Sequence, residues 1–370
     1  MTQLFSPFRL KDITLKNRIA VAPMCQYQAH DGLSNDWHQV HYTSLARGGA
    51  GLVVVEATAV SPEGRITPRC LGLWNEEQAA GLANIASAIK GAGAVAGIQI
   101  AHAGRKASAN IPWEGDDHIE GDEGWQTLSP SAVAFGANLG KVPTAMTIDD
   151  IQRVKADFVA AAKRALEAGF EWLELHFAHG YLAQSFFSTY ANQRTDEYGG
   201  DAQGRGRFLI ETVEAVRAVW PEHLPLTARF GVIEFDDKDE QTLSESIALV
   251  KQFKRAGLDM LNVSICFSTP TANIPWRPAF LAPIAERVRR EVGFPVATSW
   301  GMDNPHHAEQ AIQDQQMDLV MIGKAFLANP HWPYQAAQTL KVSRPSWVLP
   351  SSYAHWLERY STVKAESSID

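Results

Sequence analysis

The stretch Glu171-Trp172-Leu173-Glu174-Leu175-His176-Phe177-Ala178-His179-Gly180-Tyr181 ends in three side chains that handle protons. His176 and His179 can each donate a hydrogen bond, and Tyr181 carries a phenolic proton with an ordinary pKa of about 10. Such a trio suits a reaction that polarises an oxygen and then delivers one proton. It names no source of electrons. The residues before it alternate in strand fashion, and the strand-to-loop junction is where parallel α/β folds place their chemistry, because the C-terminal strand ends open onto one face.

The elements that must position this trio repeat along the chain. Leu4 to Asn17 alternates apolar and polar residues and reads as a short hairpin; Ile19–Ala22 is a compact buried strand ending at Pro23-Met24-Cys25-Gln26-Tyr27. Asp36 is the expected N-cap of a helix through Leu45, stopped by Gly48-Gly49. Gly51–Val55 is a continuous apolar strand of the kind covered on both faces. A helix over Glu76–Lys90 and strand Val95–Ile100 follow, then a long aperiodic excursion over 103–146, read as a lid. Thr147 opens a capped helix to Glu167, and the histidine strand is fourth. A second excursion runs from Tyr181 to Gly204. Helices over Arg207–Val219, Leu243–Ala256, Pro283–Val292 and Asn304–Gln313 then alternate with strands Leu226–Phe230, Met260–Ser264, Val296–Ser299 and Leu319–Ile322. Eight strand–helix units predict an α/β fold, a (β/α)8 TIM barrel with an N-terminal hairpin, as one domain over 1–370 with a C-terminal extension over 343–370. An open doubly wound sheet is the rival, but it wants a glycine-rich turn after the first strand, where Pro23-Met24-Cys25 stands.

In a barrel the C-terminal strand ends face a common mouth. They carry Pro23, Met24 and Cys25, then Ala57, Gln99, His176 with His179, Arg229, Ser299-Trp300-Gly301 and Gly323-Lys324. Glycines with a basic residue after the last two strands match a barrel's phosphate site. A phosphate anchor facing amide, guanidinium and imidazole donors suits a phosphorylated heteroaromatic cofactor. FMN fits better than a dinucleotide, for which no Rossmann fingerprint exists.

Composition narrows the class. The 370 residues are 45% hydrophobic and 20% charged, with a formal net charge of −8, which disfavours a nucleic-acid surface. Three cysteines without a C-x-x-C pair build no disulfide framework, zinc knuckle or iron–sulfur site. The N-terminal residues lack the apolar core of a signal peptide, and no apolar run spans a bilayer, so a cytoplasmic enzyme without membrane partners is expected.

Six motifs together resemble the old yellow enzyme family, specifically its bacterial xenobiotic reductase subgroup. They are Asn17-Arg18-Ile19, Pro23–Tyr27, Ala101-His102-Ala103-Gly104-Arg105-Lys106, His176–Tyr181, Ser185–Ser188 with Asn192–Asp196, and Ala354-His355-Trp356-Leu357-Glu358. The resemblance covers essentially the whole chain. It implies an NADPH dehydrogenase or ene-reductase holding FMN, reduced by NADPH or NADH and reoxidised by enones, quinones or nitro compounds. By the same resemblance, His176 and His179 hold the substrate oxygen. Tyr181 protonates Cα after hydride from flavin N5 reaches Cβ. Cys25 tunes the flavin, and Gln99 and Arg229 contact its ring, Arg229 stabilising the anionic reduced form. Lys324 departs from the family's usual arginine; it keeps the charge and loses the bidentate fork.

Other readings compete. Glu56, His102 and His176 lie at neighbouring strand ends and could ligate a metal in a barrel hydrolase, although the usual His-x-His on the first strand is missing. A phosphate- or flavin-binding protein without turnover is a third reading. Tyr27 and Trp300 are expected to line the substrate pocket, while Cys70 and Cys266 read as small buried apolar residues. In the tail, Tyr353, Trp356, Leu357 and Tyr360 share one helix face. That stripe must be buried on its own barrel or on a neighbour. Relatives in the resembling subgroup reach a partner's site with a tail residue, which makes Trp356 the candidate here in a homodimer or a tetramer of dimers.

Overall fold

The computed structural model describes the backbone of residues 2–366 and the side chains of residues 2–360. β1 (Phe8–Leu10) and β2 (Ile13–Leu15) form the antiparallel hairpin. Phe8, Leu10 and Leu15 pack with Leu52, Trp172 and Met321, so the hairpin closes one end of the barrel interior. β3 (Ile19–Val21) is followed by α1 (Asp36–Arg47), β4 (Leu52–Ala59), α2 (Glu76–Gly91) and β5 (Val95–Ala101). The excursion over 103–146 contains β6 (Leu128–Ser129) and β7 (Thr144–Ala145), a two-stranded parallel pair, before α3 (Ile148–Glu167) and β8 (Trp172–Phe177).

The second half continues with α4 (Leu182–Phe187), α5 (Ala202–Arg217), β9 (Leu226–Ile233), α6 (Asp239–Arg255) and β10 (Met260–Ile265). It ends with α7 (Ala282–Val292), β11 (Val296–Thr298), α8 (Pro305–Gln313) and β12 (Leu319–Ile322). Then come α9 (Lys324–Ala328), α10 (Trp332–Thr339) and α11 (Ser351–Glu366). Strands β3, β4, β5, β8, β9, β10, β11 and β12 pair in parallel in that order, and β12 pairs back onto β3. This is the expected (β/α)8 barrel. The strands are covered on both sides, by an inner layer including Leu52, Val54 and Met260 and an outer layer shared with the helices. That double cover is why they read as near-continuous apolar runs.

Several boundaries differ from expectation. Asn35, not Asp36, caps α1: its side chain accepts from Trp37 N–H while His38 closes a capping box. Thr147 caps α3 with Asp150 in the reciprocal role, as its position suggests. α5 begins at Ala202, five residues before the expected start, because Gly204 and Gly206 are helical. They are there for space. A Cβ on Gly204 would lie 2.1 Å from Gly199 O, and one on Gly206 2.7 Å from Leu249 Cδ1. The extension expected over 343–370 is described as far as residue 366; residues 367–370 lie outside the described residues. No helix among the described residues is long and apolar enough to cross a membrane.

Candidate active site

A cavity of about 620 Å³ opens at the C-terminal ends of the barrel strands. It is lined by Pro23 and Met24 after β3, His179 after β8, Arg229 on β9, Ser299, Trp300 and Gly301 after β11, and Gly323 and Lys324 after β12. Its volume is in the range that holds a small-molecule ligand or cofactor. Gly301 sits at φ +71°, and a Cβ there would come within 2.7 Å of Ala279 N, so no other residue keeps this turn. A Cβ on Gly323 would sit 3.3 Å from Met24 Sδ, in the floor of the pocket.

The fourth-strand loop forms one wall. The rings of His176, His179 and Tyr181 pack edge to face, with centroids 5.0 Å apart for His176–His179 and for His176–Tyr181, and 6.4 Å for His179–Tyr181. Ala178 N–H donates to His176 Nδ1 (3.4 Å), which leaves the proton of a neutral His176 on Nε2. His179 Nε2 lies 2.8 Å from Ser264 Oγ, which also accepts from Trp300 Nε1–H at 3.2 Å. Ser264 can accept from Trp300 and donate to His179, an arrangement that keeps the His179 proton on Nδ1. Burial, reinforced by the Arg229 and Lys106 charges, holds both imidazoles well below the usual histidine range. Burial also raises Tyr181 above an ordinary phenol. At neutral pH the loop therefore presents two neutral imidazoles and a protonated phenol.

Lys106 ties this loop down. Its Nζ donates to His179 O (2.8 Å) and Phe267 O (3.0 Å) and lies 3.9 Å from the Phe135 ring of the excursion. Burial and the neighbouring Arg105 bring the Lys106 ammonium down to about 7. Ser264, Phe267 and Trp276 were given no role by sequence, and Lys106 entered only as the last residue of a motif. For Phe267 and Trp276 the signal was the length of the segment between Ile265 and Ala282, too long for a bare βα turn.

On the neighbouring strand β9, in register with His176, Arg229 is 6% exposed and donates to Ser299 Oγ at 2.8 Å, while its Nε is buried without a partner. Burial lowers its guanidinium, and the Glu174 carboxyl on the adjacent strand β8 works against that shift. Gln99 does not line the cavity: its amide donates to Glu174 Oε1 (2.8 Å), and Asn262 Nδ2 to Glu174 Oε2 (3.1 Å). Ala57 is buried beneath the mouth. Cys25 is half-buried beside Cys70 and Tyr27; the Cys70 contact and burial raise its thiol. Burial pushes Cys70 up, but hydrogen bonds from Cys25 and Thr67 outweigh it and bring Cys70 down to about 7. The loops after neighbouring strands β3 and β4 bring the two residues together. Cys266 fits the simpler reading, buried with its thiol donating to Gly231 O.

Trp356 and the expected metal-ligand set do not gather at this cavity. Trp356 is 68% exposed and lines a separate groove with His331, Tyr334 and Tyr353, outside the cavity of its own chain. The metal reading needs Glu56, His102 and His176 to converge, and they do not. Glu56 binds Tyr42 and Gln26 N–H, and His102 Nδ1 accepts from Gly104 N–H. Among the described residues no three His, Cys, Asp or Glu are grouped to hold an ion.

Residues 3–343 match the model of the NADH:flavin oxidoreductase / NADH oxidase family. The chain belongs to this family. It is 39% identical over 343 residues to an NADPH dehydrogenase of Geobacillus thermodenitrificans, covering 92% of this chain and 95% of that one. Among solved structures, morphinone reductase in complex with tetrahydroNAD superposes with a TM-score of 0.76 at 26% identity, over 95% of this chain and 96% of that one. An old yellow enzyme homologue from Zymomonas mobilis gives 0.77 at 26% identity, over 92% and 93%. A 2-naphthoyl-CoA reductase shares the fold at 24% identity and a TM-score of 0.82; the chain spans 53% of its length. Membership in this flavin oxidoreductase family makes the chain an old yellow enzyme-type flavoenzyme that uses FMN and a nicotinamide nucleotide. The residues present fit FMN. The partnerless Arg229 Nε is a buried donor awaiting an acceptor, and the glycine turns at 301 and 323 bring backbone and Lys324 to one end of the same cavity.

Proposed function

We propose that this flavoenzyme reduces activated C=C bonds of α,β-unsaturated carbonyl compounds, with nitro compounds and quinones as further acceptors. The observation that carries the reading is the His176–His179–Tyr181 cluster, two neutral donors and one retained phenolic proton packed together, with His179 lining the pocket. FMN bound in the pocket supplies, once reduced by NADPH or NADH, the hydride that adds to Cβ of the alkene. Pro23, Met24, Cys25, Ala57, His176, Arg229, Ser299, Trp300, Gly301, Gly323 and Lys324 are assigned to hold it. Lys324 and the glycine turns face the phosphate, and Arg229 offsets negative charge on the ring system.

The chain's own residues complete the reaction. His176 and His179 donate to the substrate oxygen, where negative charge grows as the alkene is polarised. Being neutral, they strengthen their hydrogen bonds as that charge develops without protonating the oxygen beforehand. Tyr181 holds its proton until Cα becomes the stronger base, then delivers it; burial keeps the phenol protonated in the interval. Tyr27 and Trp300 wall the substrate. Trp300 is fixed through Ser264, whose hydroxyl also contacts His179.

The exposed aromatics of the tail support assembly. Tyr353, Trp356 and Tyr360 are 36%, 68% and 56% exposed. A homo-oligomer in which Trp356 reaches a partner's substrate site accounts for that stripe. The three free thiols accord with a reducing, cytoplasmic location. The test of the main reading is anaerobic mixing of NADPH-reduced enzyme with 2-cyclohexenone. Rapid return of the oxidised flavin band with formation of the saturated ketone is expected. A reduced flavin indifferent to enones, quinones and nitro compounds would refute it.

A further inference from the structure

Glu56 lies on β4 with its side chain fully buried, and neither the donor cluster nor the cofactor assignment uses it. The β4–β5 register shifts between Val55 and Thr58, so the alternation of faces breaks at Glu56. That irregularity turns the carboxyl toward α1 and the first-strand loop. Oε1 accepts from Tyr42 Oη (2.8 Å), and Tyr42 Oη in turn accepts from Glu56 N–H (3.0 Å). Oε2 accepts from the backbone N–H of Gln26 (2.9 Å). His38 Nε2 stands 3.8 Å from Oε1, its other nitrogen committed to the α1 cap.

The Gln26 peptide is a sensitive place to be held. It sits between Cys25 and Tyr27, and Tyr27 has φ +53°, a left-handed conformation that a bulky L-residue keeps only where its surroundings impose it. The Gln26 side chain adds two ties, donating to Met24 O (2.9 Å) and accepting from Trp37 Nε1–H (3.2 Å). On the other side of the same short loop, Tyr27 stands beside Cys25, and Pro23 and Met24 line the pocket.

We propose that Glu56, clasped by Tyr42, is a positioning residue that fixes the Gln26 peptide and thereby holds Cys25 and Tyr27 at the pocket in the strained loop. The proposal rests on the ene-reductase reading for what Cys25 and Tyr27 do there. Burial raises the Glu56 carboxyl to about 8, so a neutral isostere can keep the same bonds. Gln can accept from Gln26 N–H and donate to Tyr42; Leu can do neither.

The experiment compares holoenzymes of wild type, Glu56→Gln, Glu56→Leu and Tyr42→Phe. Two readouts are taken: the Kd of a phenol such as 4-hydroxybenzaldehyde, followed by the flavin band, and the rate of Cys25 alkylation by iodoacetamide. Glu56→Leu should weaken phenol binding on the order of tenfold, as loss of one buried hydrogen bond allows, and should speed alkylation. Tyr42→Phe should shift both in the same direction by less, and Glu56→Gln should restore both. If Glu56→Leu does not fold, Tyr42→Phe decides. Wild-type Kd and alkylation rate in Glu56→Leu, or in Tyr42→Phe when it alone is folded, overturn the proposal. So does Glu56→Gln behaving like Glu56→Leu. If wild type itself neither binds phenols nor reduces alkenes, the ene-reductase reading falls instead, and the alkylation rates still judge the clasp.

Discussion

The aromatic cluster around His176 and the aromatic stripe on α11 are built from similar residues in opposite surroundings. At the barrel mouth, His176 and His179 each have one ring nitrogen engaged by the chain itself, and Lys106 fixes the intervening backbone. On α11, Trp356 and Tyr360 lie mostly in solvent. Nearby, Glu358 pairs with Arg344 (2.7 Å) and accepts from Trp347 Nε1–H (3.0 Å), bonds that fasten the tail to its own chain without covering its aromatics. A residue that the chain surrounds with partners has its role within the chain. Large aromatics held in solvent are the usual mark of a contact surface.

The sharpest way to break this contrast is at the phenol. Tyr181→Phe removes one oxygen and should slow alkene reduction by about 10²–10⁴ if no other acid reaches Cα. Flavin reduction by NADPH should hardly change, and stopped-flow separation of the two half-reactions checks both. A loss confined to the NADPH half would assign the proton to another residue. Next come His176→Ala and His179→Ala. Each donor to an oxygen that gains charge contributes roughly 2–4 kcal/mol, so each variant should lose about a hundred-fold or more in alkene reduction while keeping its flavin. Unchanged enone turnover in both would leave the pair structural.

The opposite edge of the pocket gives the third comparison. Charge-assisted bonds to phosphate contribute about 1.5–3 kcal/mol, and arginine can make two at once. Lys324→Ala should release FMN on dialysis faster than wild type, and Lys324→Arg should hold it as tightly or more so. Alanine retaining FMN like wild type would place the phosphate elsewhere. The smallest effect is expected from the bare region. Deleting residues from Ser351 onward should reduce the particle mass in light scattering and raise KM for the enone. Unchanged mass and kinetics would mean that the stripe serves only its own chain.

The barrel was legible because each strand is covered on both faces. Val53 to Val55, Leu319 to Ile322 and Ile19 to Ala22 are apolar for a physical reason that periodicity exposes. The donor loop was legible because His176, His179 and Tyr181 are neighbours in sequence. The start of α5 was not, since Gly204 and Gly206 resemble helix breakers until the atoms packed against them are known. Nor was the pairing of Cys25 with Cys70, which depends on two loops meeting in space. Glu56 was misread as a candidate ligand because sequence shows a carboxylate at a strand end without the register shift that turns it toward Tyr42. Gln99 shows the converse: a strand-end amide expected at the cofactor is engaged by Glu174 inside the barrel.

The measurement that bears most directly on the central claim is the placement of label in the product. Wild-type enzyme turned over with 2-cyclohexenone and NADPH in D2O should give a ketone carrying one solvent deuteron at Cα and none at Cβ, while NADPH deuterated at the transferred position in ordinary water should label Cβ alone. Solvent deuterium at Cβ, or nucleotide label at Cα, would contradict the assignment of hydride to Cβ and of the Tyr181 proton to Cα.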